Sequence, residues 1–404
     1  MGRRVLILSW EYPPIVEGGL ARHVRKLAEG LAAQGDTVHV VTRGRAGDLA
    51  SELRARVLVH RVAAPATPRD LDAFLRWVDA LNDRMVDAAA ALPDVDVVHV
   101  HDWLVAPAAA AIATLRRRPY VATVHATEFG RHHGRVAQHP QSHIHAAETE
   151  MARRADAVIV CSHYMRGHVA DVFGVDEDAV TVIPNGIDPL DLRPVHDLAA
   201  LRAEHAAPDE RLVLLTGRLV HEKGFQLALE ALPGVIRRVG RVRFLVAGAG
   251  PHEAELRAQA ARLGLDAHGT FLGWIGDDRL HALYRIADLC VVPSLYEPFG
   301  LVALEAMASG CPCIVADTGG LREVVPNDDV GLRFRARDPR ALAATMTLVL
   351  ANPAVRFRLV GEALEHVRRF DWADVALRTA AVYGSAGAPA PRPRARRRLT
   401  VARR

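Results

Sequence analysis

The pattern that most constrains this chain is an apolar, strand-like run that stops at glycine or polar residues, repeated along the sequence. Arg4–Ser9 leads into Trp10-Glu11-Tyr12-Pro13-Pro14 and then Gly18-Gly19. Val95–Val100 ends at His101-Asp102-Trp103, Tyr120–Val124 at His125-Ala126-Thr127-Glu128, Ala157–Val160 at Cys161-Ser162, and Val180–Ile183 at Pro184-Asn185-Gly186-Ile187-Asp188. Near-continuous apolar runs predict strands buried on both faces, which means parallel sheets covered by helices. Ligands of such sheets bind outside the carboxyl ends of the strands, and that is where the polar residues recur. After the paired glycines, Leu20, Val24, Leu27 and Leu31 predict a helix ending near Gly35, followed by a strand at Thr37–Val41. This is a βαβ unit in which glycine admits a ligand close to the backbone and the helix start offers free N–H groups. It lacks the G-x-G-x-x-G of a dinucleotide site.

A polar, Pro-containing stretch from Asp188 to about residue 209 reads as a linker, after which the alternation restarts. Strand Leu212–Thr216 is followed by Gly217-Arg218-Leu219-Val220-His221-Glu222-Lys223-Gly224 and a helix Gln226–Leu232. Arg218 and Lys223 thus fall between a strand end and a helix start, where cations and free amides can converge on a diphosphate. Arg243–Ala247 delivers Gly248-Ala249-Gly250 ahead of a helix to about Leu263. Phe271–Trp274 and a helix Asp278–Ala287 lead to the buried run Leu289–Val292 and then to Ser294-Leu-Tyr-Glu-Pro-Phe-Gly-Leu-Val-Ala-Leu-Glu-Ala-Met-Ala-Ser-Gly310. Here Phe299, Gly300 and Leu301 open a helix between two carboxylates, Glu297 and Glu305, which can orient a polyhydroxylated ligand beside an anion site. Two terminal helices follow, the last from about Trp372 to Tyr383.

The E-P-F-G-L-x-x-L-E-A-M-A-x-G stretch resembles the E-x7-E motif of retaining glycosyltransferases of the GT-B type, the group that includes bacterial and archaeal glycogen synthases. G-R-L-x-x-E-K-G is similar to the phosphate-binding motif of that group, and S-W-E-Y-P-P-x-x-x-G-G-L to its opening. The resemblance covers residues 4 to about 384. It implies an α/β, GT-B fold with two Rossmann-like domains facing across a cleft: an acceptor domain over 1–190, a sugar-nucleotide domain over 191–370, and a helix over 371–384 that returns to the first domain.

The resemblance also implies the site. Arg218 and Lys223 would take the diphosphate. Glu297 would hold the donor sugar and Glu305 the ribose, and His125 would lie against the donor sugar at the reacting carbon. Gly18 and Gly19, Gly248 and Gly250, and the Phe299-Gly300-Leu301 turn would line the donor. Asp102, Glu11 and Asn185, in the first half, are the candidate acceptor contacts. A bacterial starch or glycogen synthase carries a lysine where this chain has Val16, which argues against the ADP-glucose-specific branch and leaves UDP-glucose and ADP-glucose both open.

Composition narrows the remaining classes. The net charge of +4 is carried by residues 385–404, which hold seven arginines and no acid; the rest has 44 basic residues against 47 acidic ones. That tail reads as disordered, with weak contact to an anionic membrane and simple solvation both open, and no nucleic-acid partner is expected. No segment approaches the roughly 20 apolar residues of a membrane span, and the short apolar N-terminal run is no secretion signal, so the expected location is cytoplasmic. Cys161, Cys290, Cys311 and Cys313 read as buried thiols rather than a disulfide framework or zinc site. His132, His133, His139, His143 and His145 match no zinc motif and read as a lining of the acceptor cleft. Asp94-Val95-Asp96 precedes a strand and reads as a cap or turn.

Taken with the motifs S-W-E-Y-P-P, G-G-L-A-R-H-V and V-H-V-H-D-W-L-V-A, the chain resembles actinobacterial α-1,4-glucosyltransferases of glycogen and methylglucose lipopolysaccharide synthesis. The expected activity is transfer of glucose from UDP- or ADP-glucose to the non-reducing end of an α-1,4-glucan. It is expected to retain configuration, without a metal and without a cofactor beyond the nucleotide sugar. A peripheral membrane glycosyltransferase with a lipid or small-molecule acceptor, and a non-catalytic sugar-nucleotide sensor, are the other readings.

Overall fold

The computed structural model describes residues 2–45, 48, 50–68, 70–192 and 197–386. The first half runs β1 (Arg4–Leu8), α1 (Gly19–Ala33), β2 (Thr37–Gly44), β3 (Ser51–Arg54), β4 (Val57–Ala63) and α2 (Leu71–Ala90). It continues with β5 (Val97–His101), α3 (Ala106–Arg116), β6 (Tyr120–Val124), α4 (Glu128–Arg131), α5 (Gln141–Arg154), β7 (Ala157–Val160), α6 (His163–Phe173) and β8 (Val180–Val182). The second half runs α7 (Leu198–His205), β9 (Arg211–Thr216), α8 (Phe225–Val239), β10 (Val242–Ala247), α9 (Glu253–Arg262), β11 (Gly269–Gly273) and α10 (Asp277–Ile286). It closes with β12 (Leu289–Val292), α11 (Leu301–Ala308), β13 (Cys313–Ala316), α12 (Leu321–Val324), β14 (Leu332–Phe334), α13 (Pro339–Ala351), α14 (Pro353–His366) and α15 (Trp372–Ala386).

Two sheets result, ordered β3-β4-β2-β1-β5-β6-β7-β8 and β11-β10-β9-β12-β13-β14. All pairings are parallel except β3 with β4. In each sheet the chain winds outward from one central strand in both directions. The crevices at these reversals, β1/β5 and β9/β12, are where an open α/β sheet accepts a ligand. Gly18-Gly19 and Asp102 follow one pair of strands; Arg218, Lys223 and Glu297 follow the other.

In the first sheet the two faces of the inner strands enter different cores. Val98 and Val100 of β5 pack beneath α2 and α3, while Val97 joins Val24, Leu27, Leu31, Val375 and Ala376 of α1 and α15. Burying each large aliphatic side chain contributes about 1.5–3 kcal/mol. His99 and His101 take the α1/α15 face, because residues two apart in a strand point the same way; both are fully buried.

Several boundaries differ from expectation, each for a local reason. The expected linker contains α7, whose start is capped by Asp197 accepting from Ala199 N at 2.9 Å and Ala200 N at 3.2 Å, and which buries Leu201. The helix expected over Gln226–Leu232 continues to Val239 despite Pro233. The two terminal helices are three, since Asn352 ends α13 and caps α14 through Ala354 N at 3.1 Å. Strands β3 and β4 and helix α2, between 51 and 90, carry no motif and were not anticipated. Helix α15 continues to Ala386, two residues into the stretch expected as tail; the remaining 387–404, with its seven arginines, lies outside the described residues. The four cysteines are free and buried, and no described helix is long and apolar enough to cross a membrane.

Candidate functional site between the two sheets

The second sheet's contribution begins with Lys223, in the turn after β9, and Glu297, in the loop after β12. Lys223 Nζ donates to Glu297 Oε2 at 2.7 Å, and Ser294 Oγ donates to the same oxygen at 3.0 Å. Glu297 is 8% exposed, and a cation and a hydroxyl both face its carboxyl, as a buried polar group requires. Arg218 is exposed and makes no ion pair among the described residues. The Gly248–Gly250 loop lies against the Gly217–Leu219 turn: a Cβ on Gly248, whose φ is +146°, would stand 1.9 Å from Gly217 O. Gly300, at φ +120°, turns the chain into α11 where a Cβ would meet Leu321 at 2.6 Å. Phe299 is buried edge-on against Phe370, with ring centroids 6.0 Å apart, so its ring is structural while its backbone carries the turn.

Glu305 is buried within α11 and is held from the other sheet's side of the cleft. Arg22 Nη1, on α1, donates to Glu305 Oε1 at 2.9 Å, while Tyr284 Oη donates to Oε2 at 3.0 Å. The same guanidinium pairs with Asp277 at the start of α10. Beside it, the glycine loop touches the α11 start, since a Cβ on Gly19 would meet Leu301 Cδ1 at 2.6 Å. Gly18 is extended and has open space around it. Glu11 is 4% exposed and braces this loop, accepting from Glu17 N at 2.6 Å; burial raises its carboxyl above the usual range.

Further contacts tie the E-x7-E loop to the first sheet. Tyr296 Oη accepts from Thr127 N at 3.1 Å, and a Cβ on Gly130 would meet the Tyr296 ring at 2.2 Å. Ser162 Oγ donates to Pro298 O at 2.6 Å. Glu323, on α12, caps α6 by accepting from His163 N and Tyr164 N, each at 2.9 Å, the charge that a helix N-terminus favours.

The first sheet's own face is a stack of imidazoles. His125, after β6, stands with Nε2 3.0 Å from His101 Nδ1. His23, from α1, packs edge-on to His125 with centroids 4.6 Å apart, and its Nδ1 lies 2.8 Å from Asn185 Oδ1. His99 lies under His101 at 4.3 Å and bonds Tyr383 Oη and Thr123 Oγ1, each at 2.7 Å. Burial drives all four toward the neutral form, His125 to about 4 and His99 to about 3. Asp102, at φ +60°, holds the loop from behind: its Oδ1 accepts from His125 N at 2.8 Å, and burial raises its carboxyl to about 6. Among the described residues, His23, His101 and His125 are the one set of potential metal ligands placed close together. The histidines at 132, 133, 139, 143 and 145 form no such set; His132 pairs with Glu128 at 3.0 Å and His139 with Asp72 at 2.8 Å.

Of the residues singled out from sequence, Lys223 meets Glu297, Gly19 meets Leu301, and Asp102 meets His125. Asn185 bonds to His23 within the buried face. Arg22, His23, Asp277, Tyr284 and Tyr296 were not singled out; Arg22 and His23 stand in the quoted G-G-L-A-R-H-V, three and four residues after Gly19, on the helical face turned to the cleft.

Two family models match the chain: the one described as Glycosyl transferases group 1 over residues 199–366, and Glycosyltransferase Family 4 over residues 17–190. The Mycobacterium tuberculosis protein named glycogen synthase is 38% identical over 409 residues, covering 97% of each chain. A D-inositol 3-phosphate glycosyltransferase of Frankia alni is 33% identical over 92% of this chain and 96% of its own. The solved structure of a sucrose-phosphate synthase from Thermosynechococcus elongatus superposes with a TM-score of 0.80 at 27% identity, over 95% of this chain and 98% of that one.

Proposed function

The chain belongs to the group 1 and family 4 glycosyltransferases, and on that premise we propose that it moves glucose from UDP-glucose or ADP-glucose to the non-reducing end of an α-1,4-glucan, with retention of configuration and without a metal ion. The observation that carries this reading is the Lys223–Glu297 pair at the β9/β12 crevice. A nucleoside diphosphate arriving there brings negative charge that Lys223 can take, freeing Glu297 to accept hydroxyls of the donor sugar. Arg218, exposed at the same crevice, and the backbone turn at Gly300 add positive potential. Charge on the departing diphosphate grows as the glycosidic bond breaks, and donors fixed at that spot bind the transition state more tightly than the ground state.

His125 suits the other end of the donor. A neutral imidazole can exchange a hydrogen bond with a sugar hydroxyl without setting a positive charge against the positive charge that develops at the anomeric carbon. Glu305, presented by Tyr284 and Arg22, is the acceptor for ribose hydroxyls. With retention, the departing phosphate oxygen helps remove the acceptor's proton. The glucan acceptor rests on the relationship to the protein named glycogen synthase, while the inositol-phosphate relatives favour a small polar acceptor as the second reading.

The test is nucleoside diphosphate release from UDP-glucose, ADP-glucose and GDP-mannose, without added metal, with and without glycogen. Release that requires both a glucose donor and glycogen is the expected result. Release indifferent to glycogen would replace the glucan with a small or lipid acceptor, and binding without any release would leave a sensor.

A further inference from the structure

His23, His101 and His125 come from three separate elements, α1, the end of β5 and the loop after β6, and each brings one ring nitrogen within 4.8 Å of the other two. Zn–N bonds of about 2.0–2.1 Å put two nitrogens of a tetrahedral set about 3.4 Å apart. His101 Nδ1 and His125 Nε2 already stand at 3.0 Å, so rotation of His23 toward them closes the triangle. A further feature points to a ligand. His23 Nδ1 faces the Asn185 oxygen at 2.8 Å; that oxygen only accepts, so the ring proton sits on Nδ1 and Nε2 keeps its lone pair, which is how metal-bound imidazoles are oriented from behind. The fourth imidazole, His99, is occupied at both nitrogens and is not available.

We propose that His23, His101 and His125 form a binding site for a borderline-soft divalent cation of the Zn2+ kind, and that its occupation inhibits the enzyme. Three neutral nitrogens with no carboxylate suit Zn2+, Cu2+ or Ni2+ and not Mg2+ or Ca2+, which require oxygen. His23 and His101 are buried while His125 is only half-buried, so the fourth coordination position opens toward the cleft and gives the ion its way in. Coordination needs no net proton release: the ring that donates across the 3.0 Å contact shifts its hydrogen to its other nitrogen. A metal-bound His125 is no longer free to meet a sugar hydroxyl, and the ion stands where the sugar would lie. The inhibitory half rests on the donor-site reading given above; the binding half does not.

The full-length protein, stripped with EDTA, is titrated with Zn2+ and in parallel with Co2+. The expected result is one tight equivalent, with Co2+ giving the visible absorption of a four-coordinate nitrogen site. His101→Gln and His23→Gln should each lose that equivalent, whereas His132→Gln/His133→Gln should keep it. Asn185→Ala, which retains every ligand, should weaken binding by about 10–100-fold and guards against misfolding of the ligand variants. Zn2+ should suppress nucleotide release and EDTA should restore it. Failure to bind an equivalent, or binding that survives loss of both His23 and His101, overturns the site. Stoichiometric binding with undiminished turnover upholds the site and overturns the inhibition. Absence of turnover in the metal-free protein is a failure of the functional reading, and the Co2+ spectrum still decides the site.

Discussion

On the face built by the second sheet, the buried carboxylates sit in ionic pairs: Glu297 with Lys223, and Glu305 with Arg22, which reaches across from α1. On the face built by the first sheet the cluster nearest the cleft is neutral, a stack of uncharged imidazoles with amide, hydroxyl and phenol partners. The two surfaces meet at Gly19–Leu301 and Tyr296–Thr127 and are suited to opposite ends of one ligand. In an ionic pair the two protein groups are already desolvated, so a charged phosphate that replaces one partner brings its own desolvation cost and no further one for the cation. A neutral stack offers shape and hydrogen bonds and adds no charge of its own. On the proposed function, the contrast sets the leaving anion against the ionic face and the forming cation against the neutral one.

The sharpest way to break this contrast is to remove the cation. Lys223→Ala should lower kcat by about 10²–10³, the effect of losing one donor to a developing anion, and should lower the melting temperature by stranding Glu297. In Lys223→Ala/Glu297→Gln the melting temperature should recover while turnover does not. Recovery of both would mean the pair is only structural. Arg22→Ala comes next: donor KM should rise by about tenfold, or about 1.4 kcal/mol, with kcat changed less, as steady-state kinetics would show. An unchanged KM would make the bridge to Glu305 idle.

The neutral face is best probed by pH. Glu148, on α5, is 1% exposed, accepts from Glu128 N through both oxygens, and is raised by burial from 4.5 to about 8. Between those values the folded chain holds a proton that the unfolded chain has released. Its contribution to stability is therefore full below about 4.5 and is lost as pH rises toward 8. Melting temperature should fall over that range in the wild type and less steeply in Glu148→Gln; parallel slopes would show that the carboxylate is not buried in solution. The smallest effect is Tyr296→Phe, which leaves Thr127 N–H without its partner and should cost about 1 kcal/mol, or about 2 °C, by calorimetry.

The contrast also explains what could be read in advance. The proposed donor cradle is made of contiguous stretches, so Lys223, Glu297, Gly300 and Glu305 each announce themselves close after a strand end. Apolar runs likewise disclose the two α/β halves. The bridge from Arg22 to Glu305 spans 283 positions, and no period or spacing links them. His99 and His101 sit in a strand where alternation marks a buried face but not what covers it; only the return of α15 brings Tyr383 to His99. Glu148 lies mid-helix with no motif. Helix α7 was masked by a Pro-containing composition although Asp197, its cap, was in plain view.

The chain passes between the sheets twice, after β8 and again before α15, and the two passages are fastened together. Ile187 N donates to Phe370 O at 2.8 Å, and Gly186 lies so close to the Trp372 ring that a Cβ would stand 2.6 Å from it. A body held by one tether tumbles in any direction. Two strands riveted side by side act as the pin of a door, leaving rotation about a single axis as the easy motion. On the proposed function, any opening of this cleft to a nucleotide sugar swings Lys223, Glu297 and Glu305 away together and returns them together to the same place.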